Sequence, residues 1–214
     1  MRNVIIADDH PVVFRGLKEI LRENFGGVVV DGAGTGRELI EKVKRNDYDL
    51  VLLDICLPDA NGLDVLGDLK KRRPKLPVLV ISMYPEELYA VRAIRTGAQG
   101  YLTKQSAPDE LVTAVRKILS GKRYVNPMFA VRMVVDFESD VAKPAHERLS
   151  NREFQVMRMF GSGKSIKDIA DELNLSINSI RTYRARIMDK IGVKGTQGLI
   201  HYALTHGLIE YRGE

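Results

Sequence analysis

The stretch Leu50 to Leu57, LVLLDICL, constrains the fold more than any other, because four consecutive apolar residues run directly into a carboxylate, Asp54. An unbroken apolar run of that length suits a strand buried on both faces. Such strands belong to parallel sheets covered by helices, and those sheets present ligand groups at the carboxyl ends of their strands. Asp54 is thereby expected at a crevice. Three further runs end in the same manner: Val4 to Ala7 leads into Asp8 and Asp9, Val78 to Ile81 into Ser82, and Tyr101 to Thr103 into Lys104. A parallel sheet would gather an acid pair, a lone acid, a hydroxyl and an amine along one edge.

The segments between these runs read as helices. Pro11 to Asn24 places Val13, Leu17, Ile20 and Leu21 at helical spacing, with proline suited to the first turn. A strand at Val28 to Ala33 and a helix at Arg37 to Lys44 follow. After Leu50 to Asp54, Pro58 and Asn61-Gly62 punctuate a loop before a helix reaching about Arg72. Glu86 to Arg95 and Ala107 to Ser120 complete the set. Five βα units in residues 1 to 121 predict a doubly wound α/β domain with a five-stranded parallel sheet, its strand ends brought to one side by right-handed crossovers. The chain of 214 residues leaves room for a second domain.

Asp8, Asp9 and Asp54 at one sheet edge would repel one another without a cation. Hard anionic oxygens favour Mg²⁺, which takes one or two carboxylates, several waters and phosphate oxygens. Lys104 offers a point charge to a phosphoryl oxygen and Ser82 a hydroxyl donor. Together they suit phosphoryl transfer onto a carboxylate, with Asp54, the lone acid of the central strand, as nucleophile. An acid pair after a strand is by itself an ordinary turn, and a lysine there an ordinary solvated charge. It is their occurrence at four strand ends that argues for a site. The ring of Tyr101 reads either as core or as one that swings between surface and interior, and His10 as a helix-start residue.

VIIADDHPVVFRGL, LVLLDICLPDANGLDVL, VLVISMY and GAQGYLTK resemble the receiver domain of bacterial response regulators of the NarL/FixJ type, over residues 1 to about 121. The resemblance implies a flavodoxin-like receiver in which Asp54 accepts a phosphoryl group from a sensor histidine kinase or a small phosphodonor. Asp9, Asp54 and the Cys56 backbone carbonyl would ligate Mg²⁺, with Asp8 acting through water. Ser82 and Tyr101 match the family's switch pair, and Lys104 its phosphate-contacting lysine. Cys56 and the Lys104-Gln105 step depart from common receiver patterns.

Residues 122 to 148 break the alternation and read as a linker with a short helix, apolar from Pro127 to Phe137 and polar from Glu138 to Arg148. Residues 149 to 214 then carry 10 basic and 7 acidic side chains, so the positive excess of the chain lies at this end. Three helix starts follow quickly: Ser150 with Glu153 and Ser165 with Asp168 as capping boxes, and Ser176. The tight break at Leu173 to Ser176 is that of a helix-turn-helix. In the helix after Ser176, Ile180, Tyr183, Ile187, Met188 and Ile191 form an inward stripe. Asn178, Arg181, Thr182 and Ala185 are left on another face, flanked by Arg184 and Arg186. Arginine suits guanine or phosphate, asparagine adenine or phosphate, and small residues permit close approach.

The segment LSNREFQVMRMFGSGKSIKDIADELNLSINSIRTYRARIMDKIGV resembles the LuxR-type helix-turn-helix domain, with Arg181 and Tyr183 where many members carry Lys and His. A domain of four helices is expected, the last about Thr196 to His206. In relatives that helix dimerises, which makes Leu199, Ile200 and Ala203 candidates for a partner face; packing within the monomer is the equal alternative.

The expected protein is a transcription regulator whose aspartyl phosphorylation controls dimerisation and binding to promoter half-sites in double-stranded DNA. It is not an enzyme beyond slow self-catalysed phosphorylation and dephosphorylation. RNA polymerase is a further candidate partner. No apolar run approaches the roughly 20 residues of a membrane span, and MRNVIIADDH reaches acids too early for a signal peptide. A cytoplasmic location without membrane contact is expected, and the sole cysteine, Cys56, forms no internal disulfide. Two rivals differ in class: a Mg²⁺-dependent phosphatase turning over through Asp54, and a DNA-binding protein with a purely structural receiver.

Overall fold

The computed structural model describes residues 3–106, 108–125 and 144–209. The chain divides into two compact units, 1–139 and 140–214.

The first unit alternates strand and helix: β1 (Asn3–Ala7), α1 (Pro11–Asn24), β2 (Val29–Ala33), α2 (Gly36–Arg45), β3 (Leu50–Leu53), α3 (Gly62–Arg72), β4 (Val78–Ser82), α4 (Glu86–Thr96), β5 (Gly100–Thr103) and α5 (Pro108–Leu119). The five strands form one sheet in the order β2-β1-β3-β4-β5, and every neighbouring pair is parallel. Strand side chains alternate between faces. Val4, Ile6, Leu50, Leu52, Leu79, Ile81 and Leu102 form one core with Leu21 of α1 and Leu111, Val115 and Ile118 of α5. The alternate residues Ile5, Val51, Leu53, Val78 and Val80 are equally buried, and α2, α3 and α4 contact one another in sequence. Burial on both faces is why these strands are continuous apolar runs.

Chain order reverses at β1, which lies between β2 and β3. That is the switch point where a doubly wound sheet opens a crevice. Strand β3 ends at Leu53 rather than at Asp54, yet the ladder continues one residue further: the Asp54 amide donates to the Ala7 carbonyl at 2.9 Å, the Asp8 amide to Ala33 at 3.0 Å and the Lys104 amide to Ser82 at 2.8 Å. The three functional residues are thus the first beyond their strands, held by backbone bonds to the neighbouring strand.

The chain stays with the first unit past residue 121. The Tyr124 amide donates to Gln99 at 2.8 Å, Tyr124 bridges in parallel to Gly100, and its ring joins the core. Gly100 permits this, because a Cβ there would lie 3.0 Å from the Tyr124 carbonyl oxygen. Most of the stretch read as linker, including its short helix, lies outside the described residues. Its end does not read as polar linker: Ala145–Arg148 form a 3₁₀ turn, and Arg148 donates to the Lys190 carbonyl at 2.9 Å.

The second unit contains α6 (Asn151–Gly161), α7 (Ile166–Glu172), α8 (Ile177–Ile191) and α9 (Gly195–Thr205). The capping boxes at Ser150 and Ser165 are both formed, and Ser176 accepts from the Ser179 amide. Helix α6 is surrounded by the other three. Its Phe154, Val156, Met157 and Phe160 are buried together with Ile169, Ile180, Ile187, Leu199 and Leu208. Between α7 and α8 the turn closes over Asn174 at φ 50°, a left-handed conformation that asparagine tolerates better than most side chains.

Candidate functional site

At the carboxyl edge of the sheet the Lys104 ammonium bridges two carboxylates, 2.6 Å from Asp54 Oδ2 and 2.7 Å from Asp8 Oδ2. Asp54 is 2% exposed and Asp8 7%. The second oxygen of Asp54 accepts from the Cys56 amide at 3.2 Å, which folds the loop after β3 back over the site. Burial raises the Asp54 carboxyl above its usual range although Lys104 draws it down, and Asp8 adds to the rise. Burial also disfavours the Lys104 ammonium, but Asp54 and then Asp8 outweigh it, so the lysine holds its proton more firmly than usual. Two buried carboxylates share one ammonium, which leaves negative charge in a site of low dielectric.

Asp9 and His10 complete the cluster. His10 Nδ1 lies 2.8 Å from Asp9 Oδ1 and 3.1 Å from Asp8 Oδ1, and one donor atom from each of Asp8, Asp9, His10 and Asp54 lies within 4.8 Å of the others. Carboxylate oxygens in that compass, with charge left over, fit a divalent cation. The three acids were legible at the strand ends, whereas His10 was read only as a helix start. Helix α1 begins at Pro11 and takes no side-chain cap from His10, so the ring is free to lie over the acids.

Gly62 closes the loop. A Cβ there would stand 2.0 Å from the Asp54 carbonyl oxygen, and the Gly62 amide donates to Ile55 at 2.8 Å. Asn61 accepts from the Leu63 amide at 3.0 Å, capping α3. The Asn61-Gly62 pair, which read as loop punctuation, sets how closely α3 starts beneath the acid.

Ser82 is fully buried, and its Oγ accepts from the Tyr84 amide at 3.3 Å. Tyr101, 2% exposed, donates its hydroxyl to the Tyr84 carbonyl at 2.8 Å, and burial raises its pKa. In this conformation the ring lies in the interior, a position that both readings of it include. Ser82 and Tyr101 are therefore linked directly, side chain to side chain, and through the backbone of Tyr84.

In the second unit, Asn178, Arg181, Thr182, Ala185 and Arg186 of α8 are exposed and Arg184 partly so. The stripe of Ile180, Ile187 and Ile191 is buried on the far side. The Thr182 hydroxyl donates back to the Asn178 carbonyl at 3.0 Å, leaving its methyl as the outward group. The partner-face candidates on α9 divide. Leu199 and Ala203 are 0% exposed within the unit, which removes them from any partner face. Gly161 of α6 leaves the room that Ala203 takes: a Cβ there would meet Ala203 Cβ at 2.9 Å. Ile200 keeps partial exposure.

Residues 4–116 match the response regulator receiver domain, and residues 147–203 match the bacterial regulatory proteins of the luxR family. The chain is 32% identical to the response regulator UvrY of Escherichia coli over 209 residues, 97% of this chain and 96% of that one. It is 30% identical to the oxygen regulatory protein NreC of Staphylococcus carnosus over 97% of this chain and 99% of that one. Among solved structures it resembles the response regulator RcsB in complex with DNA, with a TM-score of 0.58 and 28% identity over 95% of this chain and 98% of that one. The receiver fold with its acidic edge, followed by a basic helix behind a tight turn, places the chain in the NarL/FixJ family of two-component response regulators, which regulate transcription through a LuxR-type DNA-binding domain.

Proposed function

We propose that Asp54 is the phosphoacceptor and that its modification controls dimerisation and promoter binding through α8. The reading is carried by the bridge of Lys104 between Asp54 and Asp8. An ammonium already seated on the acceptor oxygen can pass to a phosphoryl oxygen when the Asp54 carboxylate attacks phosphorus. The bond from phosphorus to the donor's nitrogen or oxygen breaks as the new one forms. Asp9, Asp54 and the Cys56 carbonyl would hold Mg²⁺, with Asp8 acting through water; the cation would offset charge on the phosphoryl oxygens. Ser82 is the hydroxyl suited to a remaining phosphoryl oxygen. Recruiting it would disturb its bond from Tyr84 and, through the Tyr84 carbonyl, the seat of Tyr101. The receiver is assigned to 1–121 and the DNA-binding domain to 149–214, with the linker between them.

The donor is a sensor histidine kinase or a small acyl or imidazole phosphate, and catalysis is limited to slow self-phosphorylation and dephosphorylation. On α8, Arg181, Arg184 and Arg186 supply phosphate or guanine contacts, Asn178 an adenine edge, and Thr182 and Ala185 close approach in the major groove. Ile200 is the remaining α9 candidate for a partner face. The site of action is the cytoplasm, with promoter DNA and RNA polymerase as partners. A solved RcsB of Salmonella enterica serovar Typhimurium was bound to the promoter rprA in the presence of phosphomimetic BeF₃⁻, with a TM-score of 0.56 to this chain, which supports promoter binding by the phosphorylated form here.

The test measures molecular mass and DNA affinity with and without Mg²⁺ and beryllium fluoride, with Asp54→Ala as control. The mimic should raise mass to a dimer and tighten binding to selected DNA only when Asp54 is present. Unchanged mass and affinity at a site demonstrably occupied by the mimic would refute control by phosphorylation. Steady multiple-turnover release of phosphate would instead favour the phosphatase.

A further inference from the structure

Ile177 is the one large apolar side chain that the second unit leaves exposed among its described residues, at 44%. It is the first residue of α8, directly after the cap Ser176, and nothing in the helix start calls for it there. The apolar staple around such a cap falls to the positions of Leu175 and Ile180, and Ile180 is fully buried. The helix dipole favours acidic side chains in the first turn, and this turn has none. The surrounding hydroxyls are turned back on the protein: Ser176 and Ser179 join at 2.8 Å, the Ser179 amide donates to Ser176 Oγ at 3.0 Å, and Thr182 donates to the Asn178 carbonyl. Ile177 stands one turn before Arg181, at the edge of the exposed arc that holds Asn178, Arg181, Thr182 and Ala185. The end of the helix that a helix-turn-helix directs at base edges therefore carries an apolar side chain with no work inside the unit.

Resting on the assignment of α8 to the major groove, we propose that Ile177 reads sequence by packing on the 5-methyl group of a thymine. The major groove displays donors and acceptors on every base pair, and the thymine methyl is the apolar group among them. Isoleucine has no bond to offer a donor or an acceptor, and seating it on one would strip water from that group without replacing it. Against a methyl, water leaves two apolar surfaces at once. The contact is independent of the arginines: it engages no phosphate, so it discriminates between bases without adding to the salt dependence of binding.

The experiment uses the full-length chain and a duplex that it selects from a random pool. Each thymine is replaced in turn by deoxyuridine, which keeps the base pair and its O4 acceptor and removes the methyl alone. Fluorescence anisotropy should find a thymine whose replacement weakens wild type about fourfold, the worth of one buried methyl group. Ile177→Ala puts a good helix former at an exposed position. It should lose at least as much affinity for the thymine duplex, lose nothing further on the deoxyuridine duplex, and keep the wild-type salt slope. Ile177→Val, which retains the branch, should keep the sensitivity to the methyl. A deoxyuridine effect of equal size in wild type and Ile177→Ala, or no such effect at any thymine, overturns the Ile177 contact alone, as does a shallower salt slope in Ile177→Ala. A selected duplex whose binding is also indifferent to Arg181→Ala and Arg186→Ala overturns the placement of α8 in the groove and the Ile177 contact with it.

Discussion

Lys104 and Lys70 of the receiver are both drawn in from solvent, and their surroundings divide them. Lys104 has two carboxylates and is held charged. Lys70 of α3 meets only neutral oxygens, the Leu76 carbonyl at 2.6 Å and Gln99 Oε1 at 3.2 Å, and burial lowers its pKa to about 8 from the usual 10.5. Between those two values the unfolded chain binds more protons at this position than the folded chain, so stability rises with pH across that window. Below it both states are protonated and the contribution is flat. With allowance for solvent screening of a half-exposed group, the rise is about 1–2 kcal/mol. Urea denaturation at pH 7.5 and pH 9.5 should therefore show wild type gaining on Lys70→Met. A constant difference between the two proteins across that range would mean that Lys70 keeps an ordinary pKa.

At the scale of elements, the loop from β3 to α3 shows how tightly the acceptor is held. Gly62 approaches the Asp54 carbonyl so closely that a Cβ would lie at 2.0 Å, with Ile55 Cα at 2.7 Å. These are backbone atoms of the acid's own strand end, so no side-chain rotation relieves the clash. Gly62→Ala should cost about 3 kcal/mol or more of unfolding free energy, read by urea denaturation, and weaken binding of beryllium fluoride, because the loop that shapes the acid must move. A stable Gly62→Ala that binds the mimic normally would show that the loop is not rigid. Much of this architecture was legible beforehand. The limits of α1 at Pro11–Asn24 and of β4 at Val78–Ser82 coincide with the sequence reading, because apolar period and punctuation by proline, glycine or a polar cap agree there. What escaped depended on contacts between distant residues. Tyr124 reads as the start of a linker until Gly100 is seen to leave room for it. Leu199 and Ala203 read equally as core or partner face, since either fate buries an apolar stripe, and only the packed unit shows both buried, with Gly161 on the facing helix leaving room for Ala203. His10 was passed over because a histidine ahead of a helix carries no signal unless its neighbours are known to be ligands.

For the whole molecule, the question is whether modification acts by joining two chains or by freeing one, and salt dependence separates these outcomes. The positive excess is concentrated in residues 149–214, and Arg181 and Arg186 are exposed on α8. No helix among the described residues is long and apolar enough to cross a membrane. Each phosphate neutralised by the protein contributes about −0.9 to the slope of log affinity against log salt on duplex DNA. If the phosphomimetic unites two chains on two half-sites, the number of phosphates engaged per complex doubles, and the slope should steepen about twofold between 50 and 200 mM salt. Arg186→Ala, removing one contact from each of two helices, should then make the slope shallower by about 2. If the mimic merely frees a single DNA-binding domain, affinity rises while the slope per complex stays that of one domain, and Arg186→Ala changes it by about 1. Fluorescence anisotropy titrations across that salt range, with mass measured on the same complexes, distinguish the two. A slope unchanged by the mimic in a complex containing two chains would show that the second α8 does not engage DNA, and the dimer would then serve a contact other than the second half-site.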